Sequence, residues 1–370
     1  VLSASAPYEV AEISELNDFL ALESDWDALL DECDCDLPFL RHDWFRIWWG
    51  RFGAGRRLSI VTARRDGRLA LALPMVEERE GWFPAPRVKL HSLTNAHSFR
   101  FQIPLRRGEE GSVRAAWSYL EKRNRPWHML EFERFPTGYP ADRELTDVAR
   151  RAGHPVGVWQ GGRSPYLTLQ GTWESYLGSL KPKFRSNLRN RLKRLQRLGP
   201  VSYELVTARG ESDAALQDAF AIERSGWKGE QRSAIASNPT LTRFYTEWGG
   251  LAADRGWLRL WFLRLGERRV AFEYNLEYKR VLYCMKIGYE SELHPFSPGQ
   301  TLKAAVLERA FREGIREYDF LGVMDEAKRD WTSEGRPFNW VYVYNSGLTS
   351  RLHHAVKFAL KPWLKRALAR

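Results

Sequence analysis

The sequence predicts an α+β fold: two mixed, mainly antiparallel sheets in succession, each flanked by helices. Three observations carry that expectation. At 370 residues the chain exceeds what one hydrophobic core usually fills. Each half contains a meander of strands with apolar and polar residues alternating. Each meander then leads into a strand, a loop, a helix and a further strand.

In the first half, Glu15 to Cys33 and Asp43 to Phe52 read as helices. "LSIVTARRDGRLALALPMVEE", from Leu58, reads as two strands around Asp66-Gly67, a dipeptide suited to the positive φ of a tight hairpin. A strand at Phe99 to Leu105, a helix at Glu109 to Arg123, a strand at His128 to Glu133 and a helix at Ala141 to Arg151 follow. "GVWQGGRSP", Gly157 to Pro165, reads as a junction. The second half holds three strands, Trp257 to Leu265, Arg269 to Tyr278 and Val281 to Tyr289, joined by short turns. Beyond them, "HPFSPGQTLKAAVLERAFREGIREYDFLG" (His294 to Gly322) reads as a broken turn, a helix stopping at Gly314, and a strand at Ile315 to Leu321. A last strand falls at Phe338 to Tyr344. The expected division is residues 1–160, residues 161–347 and a basic tail, 348–370.

A net charge of +11 and a pI near 9.6 favour anionic partners. Two stretches concentrate that charge. "KPKFRSNLRNRLKRLQR", Lys181 to Arg197, holds eight basic residues and no acid, with Phe184, Leu188, Leu192 and Leu195 at helical spacing. The tail from Ser350 has six Lys or Arg and no acid, and Leu352, Val356, Leu360, Trp363 and Leu364 can share a face that Pro362 would kink. Each is equally readable as a helix packed by its apolar stripe. Sixteen Trp suggest wide clefts or an interfacial surface as well as core. Cys33, Cys35 and Cys284 form no CxxC, which fits a reducing compartment. No run of about 18 apolar residues and no signal-peptide pattern occurs. The expectation is a cytoplasmic protein, peripheral on the membrane through its tail.

The loop that opens the His294–Gly322 stretch feeds a helix start, where free N–H groups and the helix dipole favour phosphate. It matches neither GxxxxGK[ST] nor GxGxxG. "SPGQTLKAAVLERAFREGIREYDFLG", followed by Lys328, resembles the acyltransferase domain of the CelD/BcsL family, within the GCN5-related N-acetyltransferase (GNAT) superfamily. "ERSGWKGEQRSAI", "RSNLRNRLKRLQRLG" and "PFLRHDWFRIWWGRFGAGRRLSIVTARRDGRLALALPM" resemble the same family. The resemblance implies two GNAT-like domains in tandem, similar to the Fem peptidoglycan transferases. It further implies that the turn and helix start, Ser297, Pro298, Gly299, Gln300, Thr301, Leu302 and Lys303, hold the pyrophosphate of an acyl carrier. Pro298 would shape the turn, Gly299 would admit the backbone, and the N–H groups of Gly299 to Lys303 would face the phosphates. The carrier is acyl-coenzyme A or acyl carrier protein, a co-substrate and not a permanent cofactor.

Acyl transfer from a thioester to an amine needs a proton acceptor, an oxyanion donor and a proton for the leaving sulfur. No GxSxG or HExxH is present, so neither a covalent triad nor a metal is expected. Alternation on "RVAFEYNLEY" puts Glu273, Asn275 and Glu277 on one face. Glu273 is the expected base, readable also as an exposed strand carboxylate. Tyr289 is the expected acid, readable also as packing. By resemblance, Lys328 is an oxyanion or phosphate contact that Asp319 could orient, and Trp227, Lys228 and Asn275 line the acceptor side. The leading expectation is an N-acyltransferase acting on a lipid amine, such as a sphingoid base, or on an envelope-polysaccharide amino-sugar. The alternatives are a Fem-like transferase using aminoacyl-tRNA and a non-catalytic GNAT-like module binding nucleic acid. RNA is disfavoured because the basic run lacks exposed aromatics to stack bases.

Overall fold

The computed structural model describes residues 7–81, 87–225 and 235–360. The chain opens with strand β1 (Glu9–Ile13) and helices α1 (Leu16–Leu20), α2 (Glu23–Asp31) and α3 (His42–Phe52). Then come β2 (Arg57–Arg65), β3 (Arg68–Glu80), β4 (Arg87–Ser92), α4 (Gly111–Lys122), β5 (Met129–Pro136), α5 (Pro140–Arg151) and β6 (Val156–Thr168). The second half runs α6 (Trp173–Ser179), α7 (Pro182–Gln196), β7 (Val201–Val206), α8 (Arg209–Ser225), α9 (Pro239–Asp254), β8 (Leu258–Leu265), β9 (Arg268–Tyr278) and β10 (Val281–Tyr289). It ends with α10 (Pro298–Arg312), β11 (Glu317–Asp319), α11 (Glu326–Arg329), β12 (Gly335–Tyr344) and α12 (Leu348–Ala355).

The chain forms two compact units, Val1–Gly162 with Pro337–Arg370, and Arg163–Arg336. The first unit carries β1-β2-β3-β4, all antiparallel, then β5 parallel to β4, then β12 antiparallel to β5. The second carries β7-β8-β9-β10, all antiparallel, then β11 parallel to β10, then β6 antiparallel to β11. One topology therefore occurs twice. In each unit the single parallel pair is bridged by a crossover holding one long helix, α4 or α10, as parallel pairing requires. This is the expected α+β architecture.

Three readings are corrected and one is refined. Gly157 to Pro165 does hold the passage between the units, at Gly162–Arg163, but it does so within β6; Gly157 and Gly161 admit the rings of Phe358 and Phe338, which a Cβ would meet at 2.2 and 2.3 Å. Phe99 to Leu105 is no strand, because only Leu105 bridges, to Leu71. Glu15 to Cys33 is two helices, broken at Ala21-Leu22. The expected boundary at 347 also fails: β12 pairs with β5, so residues from Pro337 onward return to the first unit. Most of the tryptophans whose burial is known are core; Trp26, Trp44, Trp48 and Trp117 are fully buried in the first unit, Trp248 and Trp331 in the second.

Candidate active site

Helix α10 presents Pro298, Thr301, Leu302, Val306, Leu307 and Ala310 to the second sheet at three- and four-residue steps, the stripe of a packed helix. Lys303 sits in that apolar stripe. A buried ammonium demands partners, and the sheet supplies them. Lys303 Nζ lies 3.0 Å from Glu273 Oε2 on β9 and donates to the Tyr318 hydroxyl on β11 at 2.6 Å. Tyr318 donates to Glu273 Oε1, which also accepts from Asn275 Nδ2 at 3.0 Å. Cys284 Sγ on β10 is 3.8 Å from the same ammonium. Glu273 is 1 % exposed, so the alternative of an exposed strand carboxylate is excluded, and both its oxygens are engaged. Burial alone would pull the Lys303 ammonium down, but Cys284 and Glu273 raise it above its ordinary value. Burial, with Cys284 and Glu273, drives the Tyr318 phenol well above the usual range, and burial lifts the Cys284 thiol to about 11. At neutral pH Lys303 is therefore charged, beside a protonated phenol and a protonated thiol.

The cluster lies beside a break in the sheet. β10 and β11 pair over Val281–Tyr283 and Glu317–Asp319 only. Beyond that point the β11 chain turns off through Leu321 and Gly322, with left-handed φ of 53° and 63°. β10 continues to Tyr289 on its β9 side, with a bulge between Cys284 and Lys286. From Cys284 to Tyr289 its other edge pairs with no described strand. Asp319 and Lys328 shape the turn-off. Asp319 Oδ1 accepts from the Leu321 N–H at 2.9 Å, and Lys328 Nζ donates to the Leu321 and Val323 carbonyls at 3.2 and 2.9 Å. Lys328 thus holds the turn with Asp325 at 3.4 Å, while Asp319 Oδ2 lies 3.5 Å from Arg336 Nη1.

At the far end of that open edge, the Tyr289 ring lies 3.4 Å from where a Gly299 Cβ would be. Its hydroxyl is 2.8 Å from His294 Nδ1. Ser297 takes a left-handed φ of 51°, a conformation a non-glycine adopts at a cost. Its folded-back carbonyl accepts from the Gln300 and Thr301 N–H groups at 3.1 and 3.4 Å. The expected fan of donors from Gly299 to Lys303 is therefore corrected. Leu302 and Lys303 lie a turn inside the helix, and Gly299 keeps the one first-turn N–H that no described backbone carbonyl accepts. Lys303 turns its side chain into the core, and Gln300 Oε1 accepts from Trp331 Nε1 at 2.8 Å. Asn275 is fully buried beside Glu273, and its Oδ1 has no hydrogen-bond partner among the described residues. Trp227 and Lys228 lie outside the described residues.

Sequence reasoning missed Tyr318, His294 and the inward course of Lys303. Alternation in "REYDF" sets Tyr318 and Asp319 on opposite faces, and it does not say which face carries the buried cluster. Among the described residues no cluster of His, Cys, Asp and Glu could hold a metal.

Residues 182–329 match the acetyltransferase (GNAT) domain family model. No curated protein matches in sequence. The chain is similar in structure to FemX, at 11% identity and a TM-score of 0.57, over 91% of this chain and 97% of that one. It is also similar to L-PGS from Bacillus licheniformis, at 12% identity and a TM-score of 0.54, over 95% and 98% of the two chains. A conserved protein of unknown function from Bacteroides thetaiotaomicron gives 11% identity and a TM-score of 0.53 over 91% and 100%. These likenesses show a shared fold across both units.

Proposed function

We propose that this GNAT-type acyltransferase moves an acyl group from a coenzyme A thioester to an amine along the open edge of β10. The observation that carries the reading is the match of two lengths. Cys284 to Tyr289 spans about 16 Å at the usual strand rise. A pantetheine arm is about as long as four or five extended residues, roughly 15 Å. With the carrier phosphates at Gly299, the thioester then falls beside the Cys284 bulge, above Tyr318 and Glu273. Tyr289, expected as the acid, stands at the phosphate end with His294. The bound thioester supplies an acyl carbon open to attack.

The amide C–N bond forms as the C–S bond breaks, and the proton given up by the amine equals the one taken by sulfur. Tyr318 is the shuttle. Lys303 steadies its phenolate in transit, and Glu273 holds both groups in line. Replacing Tyr318 by Phe is expected to slow transfer by about 10²-fold or more with carrier affinity unchanged. Calorimetric titration with coenzyme A and a turnover assay test both halves. Activity within threefold of wild type removes Tyr318 from the chemistry.

The acceptor we favour is a lipid amine. Leu348, Leu352 and Leu360, at 87, 66 and 47 % exposure, stand outward while Phe358 and Lys357 lie against Trp159 and Tyr342. An outward leucine stripe, followed in the sequence by Lys361, Lys365, Arg366 and Arg370, suits an anionic lipid surface. No described helix is long and apolar enough to cross a membrane. A second reading, transfer of an aminoacyl group from tRNA in the Fem manner, is supported by the likeness to FemX over nearly the whole chain. The CelD/BcsL resemblance is compatible with either donor.

A further inference from the structure

The helix-start turn is short of phosphate donors, because Ser297 consumes two of its N–H groups. A second source of positive charge stands next to it. Asn187, Asn190, Arg191, Arg194 and Arg197 recur on one face of α7 at three- and four-residue steps, and the groove they line is closed by Pro295 and Ser297. It holds about 550 Å³, a nucleotide-sized space. The adjoining face of α7 is anchored by Phe184, Leu188 and Leu195, so the cations are held on a fixed rod. Elsewhere in this unit arginines have acids: Arg264 and Arg269 share Glu204, and Arg336 meets Glu317. Arg191, Arg194 and Arg197 have no ion-pair partner among the described residues, and no acid lies between Lys181 and Arg197. Arg191 Nη1 is shielded from solvent with no hydrogen-bond partner. A shielded guanidinium nitrogen left without an acceptor is costly unless a ligand supplies one.

We propose that this face of α7 is a second phosphate subsite, and that it takes the 3′-phosphate of the carrier nucleotide. The inference rests on the coenzyme A reading above and deepens it. A guanidinium meets a dianionic phosphate with paired N–H donors, and the two asparagine amides add neutral ones. The groove adjoins Ser297, so one ligand spans both subsites. The described groove face presents no aromatic ring for stacking. The Phe296 ring lies 5.0 Å beneath the Arg194 guanidinium and is covered by it. That favours phosphate recognition over base recognition.

Calorimetric titration of the full chain with coenzyme A, dephospho-coenzyme A and 4′-phosphopantetheine tests this. Coenzyme A should bind about tenfold or more tighter than dephospho-coenzyme A, the worth of a charge-assisted pair. Arg191→Gln and Arg194→Gln should each shrink that ratio toward one without weakening dephospho-coenzyme A. Arg189→Gln, on an exposed position outside the groove, should leave the ratio intact. Equal affinity of wild type for the two nucleotides overturns the subsite while leaving the carrier reading standing. Loss of the ratio in Arg189→Gln overturns it too, as a diffuse charge effect. No binding of any of the three ligands overturns the carrier reading, and the subsite with it. Unchanged thermal unfolding of each glutamine variant separates lost contacts from lost folding.

Discussion

Glu273 and Lys303 form an ion pair with no solvent around it. Pairs of this kind contribute little net stability, yet removing one partner strands the other charge. Lys303→Met should therefore cost about 3–5 kcal/mol in denaturant unfolding, and Glu273→Gln a similar amount. The pH dependence has a definite sign. The Lys303 ammonium is held above its ordinary value in the folded chain. Its stabilising contribution is fully present below the unfolded value of about 10.4 and is lost as pH rises through the folded one. The stability gap between wild type and Lys303→Met should be flat from about pH 6 to 9 and close above about pH 10.5. A gap that closes on the acid side of that range would contradict the assignment. The cysteines give a second residue-scale expectation. Cys33, Cys35 and Cys284 are all buried, and burial raises the Cys33 and Cys284 thiols to about 12 and 11. Alkylation of the native chain at pH 8 should label none of them until it is unfolded.

Element-scale features separate what alternation can show from what it cannot. The Asp66-Gly67 hairpin, the three-strand meander and α10 were all legible, because period and turn chemistry are local. The partners of Lys303 were not, since a lysine in a helix-forming run looks like a solvated side chain until β9 and β11 are in place. The Ser297 conformation was equally hidden, and it reduced the expected fan of donors to Gly299. Ser297→Gly should relieve the left-handed φ and raise stability by roughly 1 kcal/mol. A loss of stability would show that the serine side chain matters more than its backbone. For α12, one face packs and the other is exposed, so packing and a surface contact are compatible in the described part of the tail; residues 361–370, with Trp363 and Leu364, lie outside the described residues. Leu348→Glu with Leu352→Glu should abolish co-sedimentation with anionic vesicles and leave unfolding unchanged. Undiminished sedimentation would move membrane contact elsewhere or remove it.

At the scale of the whole chain, the doubled strand–loop–helix–strand grammar was visible in the pattern, and the structure shows the same strand order in both units. What sequence could not show is that β12 closes the first unit, because strand pairing across some two hundred residues leaves no periodic trace. The two units differ in their chemistry. The buried Glu273–Lys303–Tyr318 cluster and the unpaired arginines of α7 both fall in the second unit. We therefore propose that acyl transfer belongs to Arg163–Arg336, the unit that contains the residues matching the GNAT family model. The most direct test is a mass-spectrometric time course of the full chain with a long-chain acyl-coenzyme A and a sphingoid base, run beside an amino-sugar acceptor and aminoacyl-tRNA. The account predicts free coenzyme A and an amide in equal amounts, lost in Tyr318→Phe. An intact thioester with discharged aminoacyl-tRNA would contradict it.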